Sequence, residues 1–169
     1  GKLTSEVTST LKSNIATYLS NYRMMNDYIV VGPAKVIDIS FLIDLIIEDS
    51  FNSGAIVGNV VEQVTNYFNI NKIEMGQDLS LGDLRGQDLS MGELRSQIMN
   101  QPGVLNIVNL RIYNKVGGQY SQSITSQPYG DDSTREIALL DDTIYAQPDE
   151  ILQVRFPEKD IAISLVLSS

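Results

Sequence analysis

The spacing of apolar residues predicts a helix near the start of the chain. Over residues 5–22, apolar side chains recur every three or four positions, and Ser, Thr, Asn and Lys fill the places between them. This is the period at which side chains share one face of an α-helix. The apolar positions are Val7, Leu11, Ile15, Tyr18, Leu19 and Tyr22. We expect this stripe to be covered, either by the core of this chain or by another chain.

Alternation predicts a long strand over Ile37–Ile47. Every second residue from Ile37 onward is apolar, whereas the positions between them mix Asp, Ser, Leu and Ile. A period of two places these sets on opposite faces of a sheet, so one face is apolar and the other half-covered. We interpret the apolar face as core, with a docking edge as the alternative.

A second helix and a second strand follow. Residues 56–68 carry apolar side chains at helical spacing, after the capping sequence Asn52-Ser53-Gly54. The stretch Val104–Tyr113 alternates as a strand does, with Val108 on its apolar side.

A tandem repeat lies between the second helix and the second strand. Residues 76–85 and 86–95 differ at only two positions, and each copy contains the Ser-x-x-acid pattern of a helix start. Only the second copy continues into a helical pattern. One interpretation is a duplicated binding element that presents Leu79 and Leu89 to a partner. The favoured interpretation is a local duplication that lengthens a loop.

The last third of the chain is less regular. Residues 114–134 show no period and predict a loop of about twenty residues, a length that is usually functional or mobile. Short strands separated by turns are predicted next: Glu136–Leu140, Thr143–Ala146, Ile151–Phe156 and Ile161–Leu167.

This order of elements predicts an α+β fold, with helices packed on a small mixed sheet and a β-rich C-terminal portion. We divide the chain into an α+β domain at 1–115, and a long loop with a small β-rich portion at 116–169. One continuous domain is the alternative.

Three residue types are missing from the chain, and their absence restricts its chemistry. The sequence contains no His, Cys or Trp. It therefore has no Ser-His-Asp triad, no thiolate nucleophile and no zinc site of the usual kind. We predict that the protein is not an enzyme and holds no cofactor or metal, since paired carboxylates are the only catalytic material left.

The balance of charges bears on the partners. The chain has 12 basic and 21 acidic residues, a net charge of −9, and the basic residues are scattered. A surface of this sign repels phosphate groups. We therefore expect neither nucleic acid nor a membrane as a partner. No apolar stretch approaches the roughly 20 residues of a spanning helix.

The acidic residues form three adjacent pairs, Asp131-Asp132, Asp141-Asp142 and Asp149-Glu150. A glycosidase needs two carboxylates that face each other, but neighbours on a strand point to opposite faces. Turns are the favoured interpretation, because Asp stabilises them through hydrogen bonds to the backbone. A calcium loop at 129–136 is disfavoured, because the DxDxDG pattern is missing.

Three tyrosines, Tyr113, Tyr120 and Tyr129, lie in or beside the predicted loop among Ser, Gln and Gly. Tyrosine is enriched at protein interfaces. We therefore predict a contact loop rather than a catalytic lid. The alternative is a carbohydrate- or receptor-binding module in which Tyr120 and Tyr129 stack on the ligand.

The order of motifs adds a resemblance that covers about residues 5–146. A helix precedes Gly32-Pro-Ala-Lys-Val-Ile-Asp-Ile-Ser40, and a second helix precedes Gly-x-Asp-Leu-Ser-x-x-x-Leu-x-x-x-Ile at 86–98. Pro102-Gly-Val-Leu-Asn-Ile-Val-Asn-Leu110 comes next, and Glu136-Ile-Ala-Leu-Leu140 precedes the last strands. This series resembles the baseplate J-like family of contractile phage tails, and most of all the C-terminal part of its wedge proteins of the inner baseplate ring. The family pattern has one segment where this chain has the two copies of its repeat.

The resemblance implies a structural protein of the virion, assembled in the host cytoplasm and located in the tail baseplate. It implies that the protein pairs with copies of itself, as a homodimer or in a ring. It also implies docking to other baseplate wedge proteins and to sheath-initiator proteins. No catalytic residues come with the family. A glycan hydrolase of the tail, acting through carboxylates, is the catalytic alternative.

Overall fold

The computed structural model describes residues 7–24, 28–68 and 89–167, and these ranges contain four helices and eight strands. The helices are α1 (Ser9–Ser20), α2 (Ser53–Tyr67), α3 (Met91–Met99) and α4 (Pro157–Asp160). The strands are β1 (Lys35–Ile47), β2 (Leu89–Ser90), β3 (Val104–Lys115), β4 (Tyr129–Asp131), β5 (Glu136–Ile137), β6 (Thr143–Ile144), β7 (Glu150–Gln153) and β8 (Ile161–Leu167). Helices packed on a mixed sheet confirm the predicted α+β class.

β1 is the strand around which the six-stranded sheet is built. β3 runs antiparallel along one edge of β1, and β5 and β4 extend the sheet beyond β3. Along the other edge, β7 pairs in parallel with Lys35–Asp38 and β8 with Phe41–Ile47, with α4 between them. β2 and β6 form a separate two-stranded sheet. Strands from both predicted portions of the chain, 1–115 and 116–169, therefore share one sheet.

One face of this sheet is the core. The alternate side chains of β1 from Ile37 to Ile47 are buried against the apolar faces of α2 and α3. The helices contribute Ile56, Val60, Val64, Met91, Leu94 and Ile98. Each fully buried side chain of this size contributes roughly 1.5–3 kcal/mol to the free energy of folding. The core interpretation of the Ile37–Ile47 face is confirmed.

Side-chain caps begin the two core helices. The side-chain oxygen of Asn52 accepts hydrogen bonds from the backbone N–H groups of Gly54 and Ala55, at 2.9 and 3.2 Å, in the first turn of α2. The Ser90 hydroxyl accepts a hydrogen bond from the Glu93 N–H at 3.4 Å, at the start of α3. Both contacts satisfy N–H groups that have no partner inside the helix. The predicted caps are confirmed for Asn52 and for the second repeat copy, whereas the first copy, 76–85, lies outside the described residues.

The first three C-terminal strands are shorter than predicted, the last one, β8, has its predicted bounds of Ile161–Leu167, and one predicted turn is a helix. Pro157–Asp160 forms the single-turn helix α4. Proline suits the first turn of a helix, because no hydrogen bond needs its missing N–H there. The Asp160 carboxylate also accepts a hydrogen bond from the Phe156 N–H at 2.7 Å.

β3 departs from its predicted alternation at Val108. Its pairing with β1 shifts where the partner of Asp44 is Asn109 but the partner of Leu45 is Ile107. Val108 is the extra residue of this β-bulge and is 50% exposed. The prediction that Val108 belongs to the apolar side of the strand is therefore wrong.

Candidate interaction surface

The predicted contact loop is bonded to the sheet at several points. The predicted bounds of this loop, 114–134, are too wide, because β3 extends to Lys115 and β4 covers Tyr129–Asp131. We name residues 116–128, between β3 and β4, the anchored loop. Tyr120 lies in it, and its hydroxyl donates a hydrogen bond to Asp160 Oδ1 at 2.6 Å. Its ring meets the Phe156 ring edge-on, with 5.6 Å between centroids. Burial and the bond to Asp160 raise the pKa of Tyr120 to about 12.

The other two predicted tyrosines flank the anchored loop. Tyr129, in β4, is half-buried and donates from its hydroxyl to Asn114 Oδ1 at 2.9 Å. Burial raises the pKa of Tyr129. Tyr113, in β3, is half-buried, and its hydrogen bond to Arg111 raises the pKa of that guanidinium. The hydroxyls of Tyr120 and Tyr129 are therefore engaged within the fold, on two different buried partners.

A buried aspartate on β1 holds the middle of the anchored loop. Asp38 is 0% exposed. Its Oδ2 accepts from the Ser121 N–H at 2.6 Å and lies 3.5 Å from Arg155 Nη1. Its Oδ1 accepts from Gln153 Nε2 at 3.2 Å. A charged group this deeply buried needs such partners, because removal from water is costly.

A second acidic residue and an asparagine hold the end of the anchored loop. Glu150 is 1% exposed and accepts hydrogen bonds from both the N–H and the hydroxyl of Ser126, at 2.9 and 3.0 Å. Asn114 Oδ1 accepts from the Thr125 N–H at 3.0 Å, and Asn114 Nδ2 donates to the Asp38 backbone carbonyl at 3.1 Å. The long aperiodic segment is thus fixed to the sheet by buried polar groups.

Of the three acidic pairs, Asp141-Asp142 lies in a turn, as predicted, whereas each of the other two places one residue in a strand, Asp131 in β4 and the buried Glu150 in β7. Asp141 and Asp142 both have the left-handed backbone conformation of turn residues, with φ values of 50° and 54°. Asp131 accepts from the Ser133 hydroxyl and N–H, and these bonds lower the pKa of Asp131. Asp149 forms an exposed ion pair with Lys35 at 2.8 Å, which lowers the pKa of Asp149.

The structure describes only one of the two repeat leucines. Leu89 is in β2 and pairs with Ile144 of β6. Leu79 lies outside the described residues. Neither the hydrolase nor the sugar-stacking alternative gains support from the contacts around the acidic and tyrosine residues.

The apolar stripe of α1 is exposed in the described part of the chain. α1 begins with the Thr8 hydroxyl accepting from the Leu11 N–H at 3.3 Å, but none of its residues is buried. No described element packs closely against it. Among the stripe residues that lie in α1, the exposed fractions run from 37% at Ile15 to 63% at Tyr18, and Tyr22, just beyond the helix, is 72% exposed. The stripe is therefore not covered by the described core of this chain.

A helix of this length gains little stability from its own hydrogen bonds. Isolated helices shorter than about 12–15 residues are marginal in water, and most helical stability in proteins comes from packing of an apolar face. α1 has 12 residues. Packing against another surface would supply the stability that α1 lacks.

No protein-family model matches the chain, and no curated protein matches it. Within residues 7–24, 28–68 and 89–167, no three acidic side chains are grouped so as to share a metal ion. None of the helices described is long and apolar enough to cross a membrane.

Proposed function

We propose that the protein is a structural, self-associating component of a contractile phage tail baseplate. Its work is the burial of apolar surface between subunits, and it transforms no substrate. The observation that carries the proposal is the uncovered stripe of α1, an amphipathic helix without a partner in the described part of its own chain.

The baseplate setting is supported by the order of sequence motifs. The helix, the long strand, the second helix and the Pro102-Gly103 turn follow the series found in the baseplate J-like family. In this setting the chain contacts its own copies and holds neighbouring wedge and sheath-initiator proteins. Such assemblies need interfaces that close by symmetry.

The first test is the mass of the purified protein as a function of concentration. The monomer has a mass of 18.7 kDa. We expect light scattering at tens of micromolar to give a dimer or a larger species. The interface between the copies should bury about 1,000 Å² or more in total, as lasting interfaces do. A strict monomer at these concentrations would refute self-association.

The second test concerns the location. Antibodies raised against the protein should label purified contractile tails at the baseplate in electron micrographs. Labelling of the sheath alone, or of no part of the tail, would refute the baseplate assignment while leaving self-association untouched.

A further inference from the structure

A second uncovered surface lies on the sheet face opposite the core. In the pairing of β1 with β8, the partners on this face are Leu42 with Ala162, Asp44 with Ser164, and Ile46 with Val166. The three β8 residues are exposed, Val166 to 48%, and the three β1 residues are half-buried. We name these six residues the open sheet face.

The open sheet face has no helical layer in the described part of the chain. α2 and α3 pack on the core side of the sheet, and α1 packs closely on neither side. At its far end, this same face of β1 is contacted by the anchored loop, whose Ser121 N–H donates a hydrogen bond to the buried Asp38. An apolar sheet face is usually buried by a helix or by a second sheet.

The dimensions of the two uncovered surfaces match. From Leu42 to Ile46, a strand extends about 13 Å. The 12 residues of α1 extend about 18 Å. α1 is therefore long enough to cover both rows of the open sheet face.

The charges favour the open sheet face over a second α1 as the partner. Residues 7–24 contain Lys12, Arg23 and no acidic residue. The rest of the chain has ten basic and 21 acidic residues, and so a net charge of −11. Two α1 helices would bring like charges together, whereas α1 and the acidic remainder of another copy attract each other. On the face itself the charges are mixed: Asp44 accepts a hydrogen bond from Asn109 Nδ2 at 2.9 Å, and the exposed Arg111 of β3 lies beside Leu42. The attraction therefore comes from the acidic remainder of the chain as a whole.

We propose that α1 of one copy packs on the open sheet face of a second copy, with its stripe against Leu42, Ile46 and Val166. This inference rests on the proposed function, because it requires self-association. It adds the partner surface and the heterologous, helix-to-sheet nature of the contact.

The test uses full-length variants in sedimentation experiments at tens of micromolar. Ile15→Asp places a charge in the stripe, and Val166→Asp places one in the open sheet face. Each should weaken self-association by about tenfold or more, since an unpaired charge in a buried contact is unfavourable.

Leu140→Asp is the matched control, because Leu140 is equally exposed, at 49%, but belongs to neither surface. It should change nothing.

Ser164 gives a variant pair that does not put the fold at risk, because this residue is already exposed. Ser164→Lys should weaken self-association more than Ser164→Glu, because α1 carries positive charge. Equal affinities for these two variants and the wild type would overturn the inference.

Mixing separates helix-to-sheet from helix-to-helix contacts. Affinity-tagged Ile15→Asp protein should capture untagged Val166→Asp protein more strongly than either variant binds itself, because the mixture restores one intact contact.

If Val166→Asp self-associates like the wild type while Ile15→Asp does not, the helices pair with each other. The inference then fails and the proposed function survives. If the wild type is monomeric, both fail. A change in stability with unchanged mass would mean that α1 folds back on its own sheet, which also overturns the inference.

Discussion

α1 and the anchored loop differ in a way that the sequence does not suggest. α1 has one of the most regular apolar patterns in the chain, yet all its residues lie outside the core. The anchored loop has no pattern, yet buried groups on three strands hold it. Periodicity thus reports the local conformation of a segment, and says little about what covers that segment.

Removing the buried aspartate should have the largest effect on stability. Asp38→Ala leaves Arg155 without its described charge partner. It also removes the carboxylate oxygens that accept hydrogen bonds from the Ser121 N–H and from Gln153 Nε2. Breaking a buried ion pair costs about 3–5 kcal/mol, and we expect that loss in the free energy of unfolding measured by denaturant titration.

The control is Asp149→Ala, which removes an ion pair whose side chains are both more than half exposed. Exposed pairs contribute little, so this variant should unfold almost like the wild type. Equal losses in the two variants would contradict the structural role of Asp38.

Asn114→Ala should have the next largest effect. The side chain is 2% exposed and joins the Asp38 carbonyl, the Thr125 N–H and the Tyr129 hydroxyl. Buried groups that lose their partner cost about 1–3 kcal/mol each, so we expect a total loss of about 2–4 kcal/mol. Faster amide exchange at Thr125 should accompany it. Unchanged exchange there would show that Asn114 does not hold the anchored loop.

Tyr120→Phe should have a smaller effect that depends on pH. The pKa of Tyr120 is raised to about 12 from its ordinary value of 10.0 by burial and by the bond to Asp160. Because the folded pKa is the higher one, the stabilisation is complete below pH 10 and is lost as the pH rises through 12. The variant should be about 1–2 kcal/mol less stable than the wild type at neutral pH, and the difference should narrow between pH 10 and 12.

Tyr28→Phe is the matched control for this titration, because Tyr28 is 94% exposed. It should follow the wild type at every pH. The free energy of unfolding of Tyr120→Phe could instead differ from that of the wild type by the same amount from pH 8 to 12. The raised pKa of Tyr120 would then contribute nothing to the stability of the fold.

Changes in α1 should have the smallest effect on the stability of the monomer. Ile15→Ser alters a helix that packs on no described element, so the free energy of unfolding at submicromolar concentration should change by less than about 0.5 kcal/mol. Ile43→Ser, in the core of β1, is the contrasting substitution, because that residue is 0% exposed. Comparable losses in the two variants would mean that α1 belongs to the core of the monomer.

The elements that depend on local pattern could be predicted from the sequence. β1 extends over Lys35–Ile47 where alternation predicts Ile37–Ile47, and α2 begins at the predicted cap. Both signals lie within a few residues of the element they predict. The α+β class follows from the order of such elements.

What the sequence could not show depends on distant residues. The sequence places Asp38 on the polar side of a half-covered strand. It is buried because it contacts residues far along the chain, Ser121 and Arg155, which are 83 and 117 positions later. The bulge at Val108 depends on the pairing of two strands. α4 had a local signal in Pro157, since proline favours the first turn of a helix. The uncovered state of α1 has no local signal.

Hydrogen–deuterium exchange as a function of concentration is the most direct test of the central claim. The amides of residues 9–20 should exchange quickly in dilute protein and become protected as the concentration and the measured mass rise together. Residues 37–47, in the centre of the sheet, should stay protected throughout. If the exchange of residues 9–20 is the same at all concentrations while the mass stays at 18.7 kDa, α1 is not covered by another copy and the protein does not self-associate through it.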